Sequence, residues 1–244
     1  MGADGRLRLS ALVVEAADGV ALTVDHVGVV TVHAAGVDAV AITVALAASP
    51  RETVYASDQL AADMEELTTT LGEGPGVDAL ADGPALAADL NEARRRVRWP
   101  VFAPAAIEGG VRAAFALPLQ VGGIHLGVMD LYRVRAGPLN PGQLADALLL
   151  ADTACALLLD TASTGATGYR LEGASLQHPE VHQATGMIIA QAGVSAAVAL
   201  IRLRAYAYVH DQRLRQVAGD VVARRLRFHS DAGDGDSPDD TEEK

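Results

Sequence analysis

The stretch GVRAAFALPLQVGGIHLGVMDLYR, Gly110 to Arg133, decides the fold class, because its pattern predicts two β-strands joined by a tight turn. Apolar and β-branched residues dominate Arg112–Leu119 and Ile124–Tyr132. Gly122 and Gly123 lie between these runs and allow the backbone conformations that a short hairpin requires. Strands joined in this way are antiparallel, so the sequence predicts an antiparallel sheet.

Two further strands are predicted on the N-terminal side of this hairpin. Val37–Leu46 is a mostly apolar, β-branched run, which is typical of a buried strand. Thr53–Ala56 follows a turn at Ser49 and Pro50 and is expected to be its short partner.

Helices are predicted around these strands. Asp58 is a plausible N-cap for a helix that ends at Gly72 and carries apolar residues at helical spacing. The following GEGPGVDAL, Gly72–Leu80, is rich in glycine and is expected to be a turn or loop. Pro141–Asp160 predicts a last helix whose apolar surface packs on the sheet, on a partner subunit, or on both. These elements predict an α+β domain with an antiparallel sheet and flanking helices.

Composition predicts a soluble protein of two domains. The chain has 244 residues, which exceeds one ordinary domain of roughly 100 to 200 residues. Its apolar runs stop well short of the ~18 to 20 residues of a membrane span, and no signal peptide is evident. We therefore expect a cytoplasmic protein without membrane contact. Cys155 is the single cysteine, which excludes an intrachain disulfide, and we expect it to be a buried small hydrophobe.

The formal net charge of -12 hides a basic block near the C-terminus. Residues 178–230 carry 7 Arg against 3 acidic residues, whereas residues 1–177 carry 11 Arg against 21 acidic residues. Residues 231–244 carry 1 Lys against 7 acidic residues. Because charges are screened over ~8 Å at physiological salt, the basic block can attract a polyanion although the whole chain is acidic. By charge alone, however, an ordinary solvated surface is the favoured interpretation, because arginines on surface helices are common.

Changes in composition divide the chain into four segments. Residues 1–160 are expected to form the larger domain, and the Gly/Ser/Thr-rich residues 161–177 a linker. Residues 178–229 are expected to form a small helical domain. Residues 230–244 have almost no apolar side chains and are expected to be a disordered acidic tail.

Three helices are predicted in the small domain. The first begins at Pro179 and ends at Gly193, the second is capped by Ser195, and the third begins near Arg213. The second helix has apolar residues on two opposite faces and is therefore expected to lie centrally, with Val198, Ile201, Ala205 and Tyr208 on one face and Ala196, Leu200, Leu203 and Ala207 on the other.

Three stretches of the larger domain resemble GAF domains of the kind found before ANTAR modules. They are GEGPGVDAL at Gly72–Leu80, RWPVFAPAA at Arg98–Ala106 and the hairpin Gly110–Arg133. The resemblance implies a sensor of an unknown small-molecule or protein signal, or a dimerisation module. Other members often have a cysteine after GEGP where this chain has Gly76, which puts a bilin or redox role at that position in doubt. Weak candidates for a ligand pocket are Trp99, Phe102 and Phe115, for which core packing is the alternative.

The sequence predicts neither an enzyme nor a cofactor or metal site. His26, His33 and His125 have no metal-ligand spacing to another His or to Cys, and none lies beside a nucleophile motif. The glycines of Gly72–Leu80 follow a helix and lack the Gly-Lys-Ser/Thr ending of a phosphate loop, so a structural turn is expected there.

The stretch His182–Val222 resembles the ANTAR domain of RNA-binding antitermination regulators. It has Ala-x-Gly followed by aliphatic residues at Ala184–Ile189, Ala-x-x-x-Leu-Arg at Ala199–Arg204, and Leu-x-x-Val-Ala at Leu214–Ala218. The resemblance implies a three-helix bundle that recognises paired short RNA hairpins and so prevents a terminator hairpin from forming. The candidate RNA-binding residues are Ala184, Gly186, Arg202, Arg204, Tyr206, Arg213 and Arg224.

Together these resemblances imply an RNA-binding antitermination regulator in which a GAF-like domain senses a signal and controls the binding of tandem RNA hairpins. The stretch TASTGATGYRLEGAS, residues 161–175, interrupts any continuous coiled coil, so a homodimer is expected to form through the helix Pro141–Asp160. Two alternatives stay open. One is a helix-turn-helix DNA-binding regulator, and the other is a sensor that acts only through protein contacts.

Overall fold

The computed structural model describes residues 3–45, 51–164 and 179–228, which form an α+β domain followed by a helical bundle. The strands are β1 (Ala39–Val44), β2 (Glu52–Ala56), β3 (Ala85–Ala87), β4 (Ala113–Val121) and β5 (Ile124–Arg133). The helices are α1 (Ala3–Ala16), α2 (Val24–Ala34), α3 (Gln59–Leu71), α4 (Pro75–Asp82), α5 (Ala93–Arg98), α6 (Phe102–Glu108), α7 (Pro141–Thr164), α8 (Pro179–Ala192), α9 (Ala196–Val209) and α10 (Leu214–Val222).

The five strands form one antiparallel sheet in the order β2-β1-β5-β4-β3. The predicted hairpin is confirmed: Val121 pairs with Ile124, and Gly122 adopts a φ of 59° in the turn. The predicted pairing of the first two strands is confirmed as well, with Ile42 opposite Tyr55. Because side chains alternate along each strand, the sheet presents two buried faces.

One face of the sheet is covered by α1, α2 and α7. Leu9 and Val13 of α1 and Val27 of α2 are buried in this core, together with Phe115 and Leu117 of β4. The sequence interpretation placed no helix in residues 3–34. Leu9, Val13 and Ala17 are buried four residues apart, a helical spacing that the exposed apolar side chains of Leu12 and Val14 obscure.

The other face is covered by α3 to α6. The boundaries predicted for α3 are confirmed, since the Asp58 carboxylate accepts a hydrogen bond of 2.9 Å from the Ala61 amide and Gly72 is left-handed with a φ of 67°. The expectation of a loop through Leu80 is wrong beyond Gly74. Helix α4 begins at Pro75, because proline suits the first helical position, where its missing N–H costs nothing.

Helix α7 runs from Pro141 to Thr164, four residues beyond its predicted end. Among the described residues it has the length and apolar composition that a membrane span would need, and α8 with α9 would meet that criterion only together, across a bend of 108°. Ala147, Leu150 and Ala154 of α7 are fully buried in the core beneath the sheet, which is the packing of a core helix. Cys155 is buried there too, as predicted.

The C-terminal bundle has its own core, formed by Val181, Ala184 and Ile188 of α8, Ala199, Leu203 and Ala207 of α9, and Leu214, Val217, Ala218 and Val221 of α10. All three predicted helices are present. The prediction that α9 lies centrally with both faces covered is wrong, since Ile201 is 61% exposed and Tyr208 59% exposed. The reason is that α8 and α10 pack on the same side of α9. The predicted acidic tail, and the predicted linker beyond Thr164, lie outside the described residues.

Candidate nucleic-acid interface

The bundle packs against the N-terminal domain through α9 and α10, which both contact α3. Arg204 of α9 makes the deepest polar contact of this interface that the described residues show. Its Nε donates a hydrogen bond of 2.8 Å to the main-chain oxygen of Thr69, in the last turn of α3. A Cβ placed on Gly72 would lie 2.8 Å from Arg204 Nη1, so the absence of a side chain at Gly72 makes room for this guanidinium.

Arg204 is partly buried and lies near a second positive charge. Burial lowers the pKa of the Arg204 guanidinium from its ordinary value, and the nearby charge of Arg51 lowers it further. A carbonyl at the end of α3 carries the partial negative charge of the helix C-terminus and is a suitable acceptor for a cation. Arg204 therefore caps α3 from the other domain.

A second contact joins the start of α10 to an acidic residue of α3. Arg213 Nη1 lies 2.8 Å from Glu66 Oε2, and Arg215 Nε lies 3.3 Å from Glu66 Oε1. Asp63, one helical turn earlier, is 3.9 Å from Arg213. The amide of residue 214 donates a longer hydrogen bond of 3.4 Å to Thr70 Oγ1. A single helix of the N-terminal domain thus contacts three consecutive residues at the start of α10.

The remaining candidate RNA-binding residues of α9 are partly enclosed by their own domain. Tyr206 stacks on His210 with 3.9 Å between ring centroids and meets Phe228 edge-on at 5.8 Å. Arg202, on the same flank, is partly buried. Tyr206 therefore presents little free ring face to a base in this arrangement.

Arg224 lies just past the end of α10, with a φ of 60°. Together with Arg227 it borders a shallow groove of about 270 Å³ whose other walls are Met187, Ala190 and Gln191 of α8. Arg213 and Arg224 are both candidate RNA-binding residues. The structure separates them, because Arg213 precedes the helix and contacts Glu66 while Arg224 follows it.

The two small candidates of α8 differ in position. Ala184 is fully buried in the bundle core, so in this arrangement it packs against α9 and α10 and cannot touch a ligand. Gly186 faces solvent, and a Cβ added there would meet no atom within 4 Å. Tight packing against another described helix is therefore not the reason for a glycine at position 186.

A buried polar cluster lies on the inner side of α3 and consists of Thr43, Arg51, Glu65, Asp130 and Tyr132. The Glu65 carboxylate accepts hydrogen bonds from Thr43 at 2.7 Å, from Tyr132 at 2.8 Å and from Arg51 at 3.2 Å. Arg51 also lies 3.5 Å from Asp130. One guanidinium thus compensates two buried carboxylates.

The charges in the buried polar cluster are not fully balanced. Burial raises the pKa of the Asp130 carboxyl well above its ordinary value, and the negative charge of Glu65 raises it further, although Arg51 opposes both effects. Burial and Glu65 likewise raise the pKa of the Tyr132 hydroxyl. Gly76 of α4 closes the cluster, since a Cβ there would lie 2.7 Å from Asp130 Oδ1.

The three aromatic candidates for a ligand pocket do not come together. Trp99 and Phe102 pack edge to face at 6.4 Å in the core beneath α3 and α6. Phe115 is buried on the other face of the sheet, in the core with α2 and α7. All three serve as core residues in this arrangement, and no single pocket can contain them.

An open cleft of about 450 Å³ separates the two domains beside the α3 contacts. Leu67 and Leu71 of α3, Val101 and Ala105 near α6, and Ala207 and Tyr208 of α9 supply its apolar walls. Asp63, Glu66 and Arg213 form its polar edge. The domains are therefore in contact along α3 without forming one continuous core.

Comparison with known protein families identifies the family of the C-terminal bundle. Residues 170–222 match the family model of the ANTAR domain. The C-terminal domain is an ANTAR domain. Such a domain implies an RNA-binding regulator of transcription antitermination, as the resemblance of His182–Val222 predicted. No curated protein is similar enough to the chain to count as a match.

Solved structures identify the fold that precedes the ANTAR domain. The GAF domain of the phosphoenolpyruvate-protein phosphotransferase from Acinetobacter is similar with a TM-score of 0.50 at 12% identity, over 68% of this chain and 99% of that one. The corresponding GAF domain from Coxiella burnetii has a TM-score of 0.47 at 16% identity, over 68% of this chain and 99% of that one. At such identities the likeness concerns the fold, and the antiparallel sheet with helices on both faces is GAF-like, as predicted.

Sequence reasoning missed the residues through which the GAF-like domain contacts the ANTAR domain. Glu66, Thr69 and Thr70 lie in the last turns of α3, whose pattern was used only to define the apolar stripe. A weak signal was present, because Asp63 and Glu66 are three residues apart and form an acidic edge on one side of a helix. Nothing in one sequence indicates that this edge meets Arg213.

Proposed function

We propose that the protein is a cytoplasmic, non-catalytic regulator of transcription antitermination. In this proposal the GAF-like domain receives a small-molecule or protein signal and controls the binding of the ANTAR domain to tandem short RNA hairpins. The main support for this proposal is the match of residues 170–222 to the ANTAR domain. The bundle also has seven arginines within residues 178–230. A guanidinium is suited to phosphate and to base edges, because it offers planar, bidentate hydrogen bonds.

Direct binding tests this function. RNA that co-purifies with the full chain is sequenced, and a two-hairpin element recovered in this way is compared in fluorescence anisotropy with a single hairpin, a scrambled RNA of equal length and duplex DNA. The expected result is preference for the two-hairpin RNA at about 150 mM salt. Preference for duplex DNA would support the helix-turn-helix alternative, and the absence of preference for any nucleic acid would support a sensor that acts through protein contacts.

Arg224 and Arg202 are the first residues to replace in this test. Arg224→Ala alters a side chain that lines the groove beside α8, whereas the contacts with α3 described above involve Arg204, Arg213 and Arg215, so a loss of affinity there reports on RNA rather than on the α3 contact. Arg202→Ala tests the flank shared with Tyr206. Each is expected to weaken the two-hairpin complex by about three- to tenfold and, where it meets a phosphate, to lower the salt dependence. Arg94→Ala, in an exposed ion pair of the GAF-like domain, is the matched control.

A homodimer is part of the proposal, with α7 as the contact. Leu148 is 38% exposed and Leu159 37% exposed on this long helix, although its other side is buried under the sheet. In this proposal a symmetric dimer places two ANTAR domains on the two tandem hairpins. Sedimentation of the full chain is expected to give a dimer, and Leu148→Glu combined with Leu159→Glu is expected to shift it to a monomer that binds a single hairpin.

A further inference from the structure

Helix α3 of the GAF-like domain contacts three arginines of the ANTAR domain, of which Arg204 and Arg213 are candidate RNA-binding residues. We define the masked arginines as Arg204, Arg213 and Arg215, which contact Thr69 and Glu66 at 2.8 to 3.3 Å. We infer that α3 competes with RNA for the masked arginines, so that the ANTAR domain binds RNA only after it has separated from α3. This inference rests on the proposed function, in which the ANTAR domain binds RNA.

The ligand groups that α3 offers are chemically similar to those of RNA. Glu66 presents two anionic oxygens to two guanidinium groups, as a phosphate does. Thr69 presents a carbonyl oxygen to Arg204, as an unpaired base does. An arginine that is hydrogen-bonded and partly buried against α3 cannot at the same time donate to a phosphate or to a base. Binding of α3 and binding of RNA are therefore mutually exclusive at these side chains.

The contact between α3 and the ANTAR domain is weak enough to be reversible. The Arg213 and Arg215 side chains stay 51% and 50% exposed in their pairs with Glu66, and exposed ion pairs contribute little. The hydrogen bond from Leu214 to Thr70 is long at 3.4 Å, and the cleft of about 450 Å³ interrupts the apolar contact beside it. A domain contact that is polar, small and open can separate without unfolding either domain.

The contact with α3 places Arg204 in an environment that disfavours its positive charge. Its charge lies near that of Arg51, and burial together with this repulsion lowers the pKa of the Arg204 guanidinium. Release from α3 removes both effects. The same side chain is part of the Ala-x-x-x-Leu-Arg pattern of the ANTAR domain. Its burial against α3 is unfavourable for the charge, and an anionic RNA group can offset this free energy when it replaces α3.

The test replaces the acidic partner and leaves every arginine in place. Full-length Glu66→Gln removes the anionic contacts to Arg213 and Arg215, and Glu15→Gln on α1 makes the same change of charge at an exposed site outside the interface. Association and dissociation rates are measured with the fluorescein-labelled two-hairpin RNA. Circular dichroism and thermal unfolding establish that both variants are folded.

The expected result is that Glu66→Gln binds the RNA about three- to tenfold more tightly than wild type and Glu15→Gln. Because unmasking increases the competent fraction, the gain is expected in the association rate, with an unchanged dissociation rate. Small-angle scattering is expected to show a larger radius of gyration for Glu66→Gln. Equal RNA binding by wild type, Glu15→Gln and Glu66→Gln would overturn the mask and leave the proposed function standing. Failure of all three folded proteins to bind any RNA would instead refute the proposed function.

Discussion

Glu65 and Glu66 are neighbours on α3, yet their carboxylates bind arginines of different domains. Glu65 faces the sheet and accepts a hydrogen bond of 3.2 Å from Arg51, whereas Glu66 faces the ANTAR domain and lies 2.8 Å from Arg213. Consecutive helix positions are about 100° apart, so one helix can present acidic groups in both directions. A displacement of α3 that starts in the buried polar cluster would therefore reach the masked arginines directly.

Arg51→Met tests how much the buried polar cluster depends on its cation. The substitution leaves Glu65 and Asp130 buried without their positive partner, and breaking such a pair typically costs about 3 to 5 kcal/mol. Urea unfolding should show a loss of this size. Because the cluster lies on the inner side of α3, the variant should also bind the two-hairpin RNA more tightly than wild type.

The matched control is the double variant Arg51→Met with Asp130→Asn. It removes one of the two unpaired carboxylates, so it should regain part of the lost stability. If Arg51→Met unfolds at the same urea concentration as wild type, Arg51 does not stabilise the two buried carboxylates.

Asp130 gives the protein a specific pH dependence. Burial and Glu65 raise the pKa of its carboxyl in the folded protein, so the native state binds this proton more tightly than the unfolded chain, whose Asp pKa is about 3.9. The contribution of Asp130 to the free energy of unfolding therefore falls as pH rises above about 4, and it keeps falling until the folded carboxyl has ionised. Asp130→Asn should flatten this part of the stability profile, measured by urea unfolding at several pH values. Parallel profiles for wild type and variant would show that the carboxyl does not titrate in this range.

Gly76→Ala should disrupt the buried polar cluster by steric conflict. The added Cβ would lie 2.7 and 2.8 Å from the two oxygens of Asp130 and 2.9 Å from Arg51 Nη2. Overpacking of this kind typically costs about 1 to 3 kcal/mol, which thermal unfolding can measure. Gly123→Ala has no atom within 4 Å of the added Cβ and serves as the control in the same domain. Equal melting temperatures for the two variants would argue against close packing at position 76.

Arg204→Ala should weaken the contact between the domains. It removes the cap on the Thr69 carbonyl, and a hydrogen bond to a charged group contributes about 1.5 to 3 kcal/mol when it is well shielded from water. Hydrogen exchange at the end of α3 should accelerate. RNA affinity is a poor readout for this variant, because the same side chain is masked by α3 and is a candidate RNA ligand. Unchanged exchange in α3 would contradict the capping role.

Gly186→Ala tests whether the glycine on α8 is needed for RNA binding, as distinct from its effect on the stability of the helix. A Cβ added at Gly186, or at Gly219 of α10, has no atom within 4 Å, so alanine at either position should stabilise its helix by about 0.5 to 1 kcal/mol. If RNA approaches α8 closely, Gly186→Ala should lower RNA affinity and Gly219→Ala should not. Equal affinities would remove Gly186 from the candidate site.

Local physical chemistry explains which elements could be predicted. The hairpin Gly110–Arg133, helix α3 between Asp58 and Gly72, and the three helices of the ANTAR domain all begin and end at residues whose effect is local, such as caps, turns and glycines. Helices α1 and α2 were missed because their short apolar stripes become stable only against α7 and the sheet. Helix α4 was missed because the glycines around Pro75 outweighed its value as a helix start.

The sequence by itself determined the two modules of this protein, the α+β class and the arginines that make the C-terminal bundle a candidate for RNA. It did so because periodicity, capping and motif spacing act over a few residues at a time. The tertiary structure alone decided that Ala184 is buried, that Phe115 and Trp99 lie on opposite faces of the sheet, and that Arg204 reaches Thr69 across a separation of 135 residues. Such contacts depend on how two folded surfaces pack against each other. A local sequence pattern therefore cannot predict which residue an exposed charged side chain will contact.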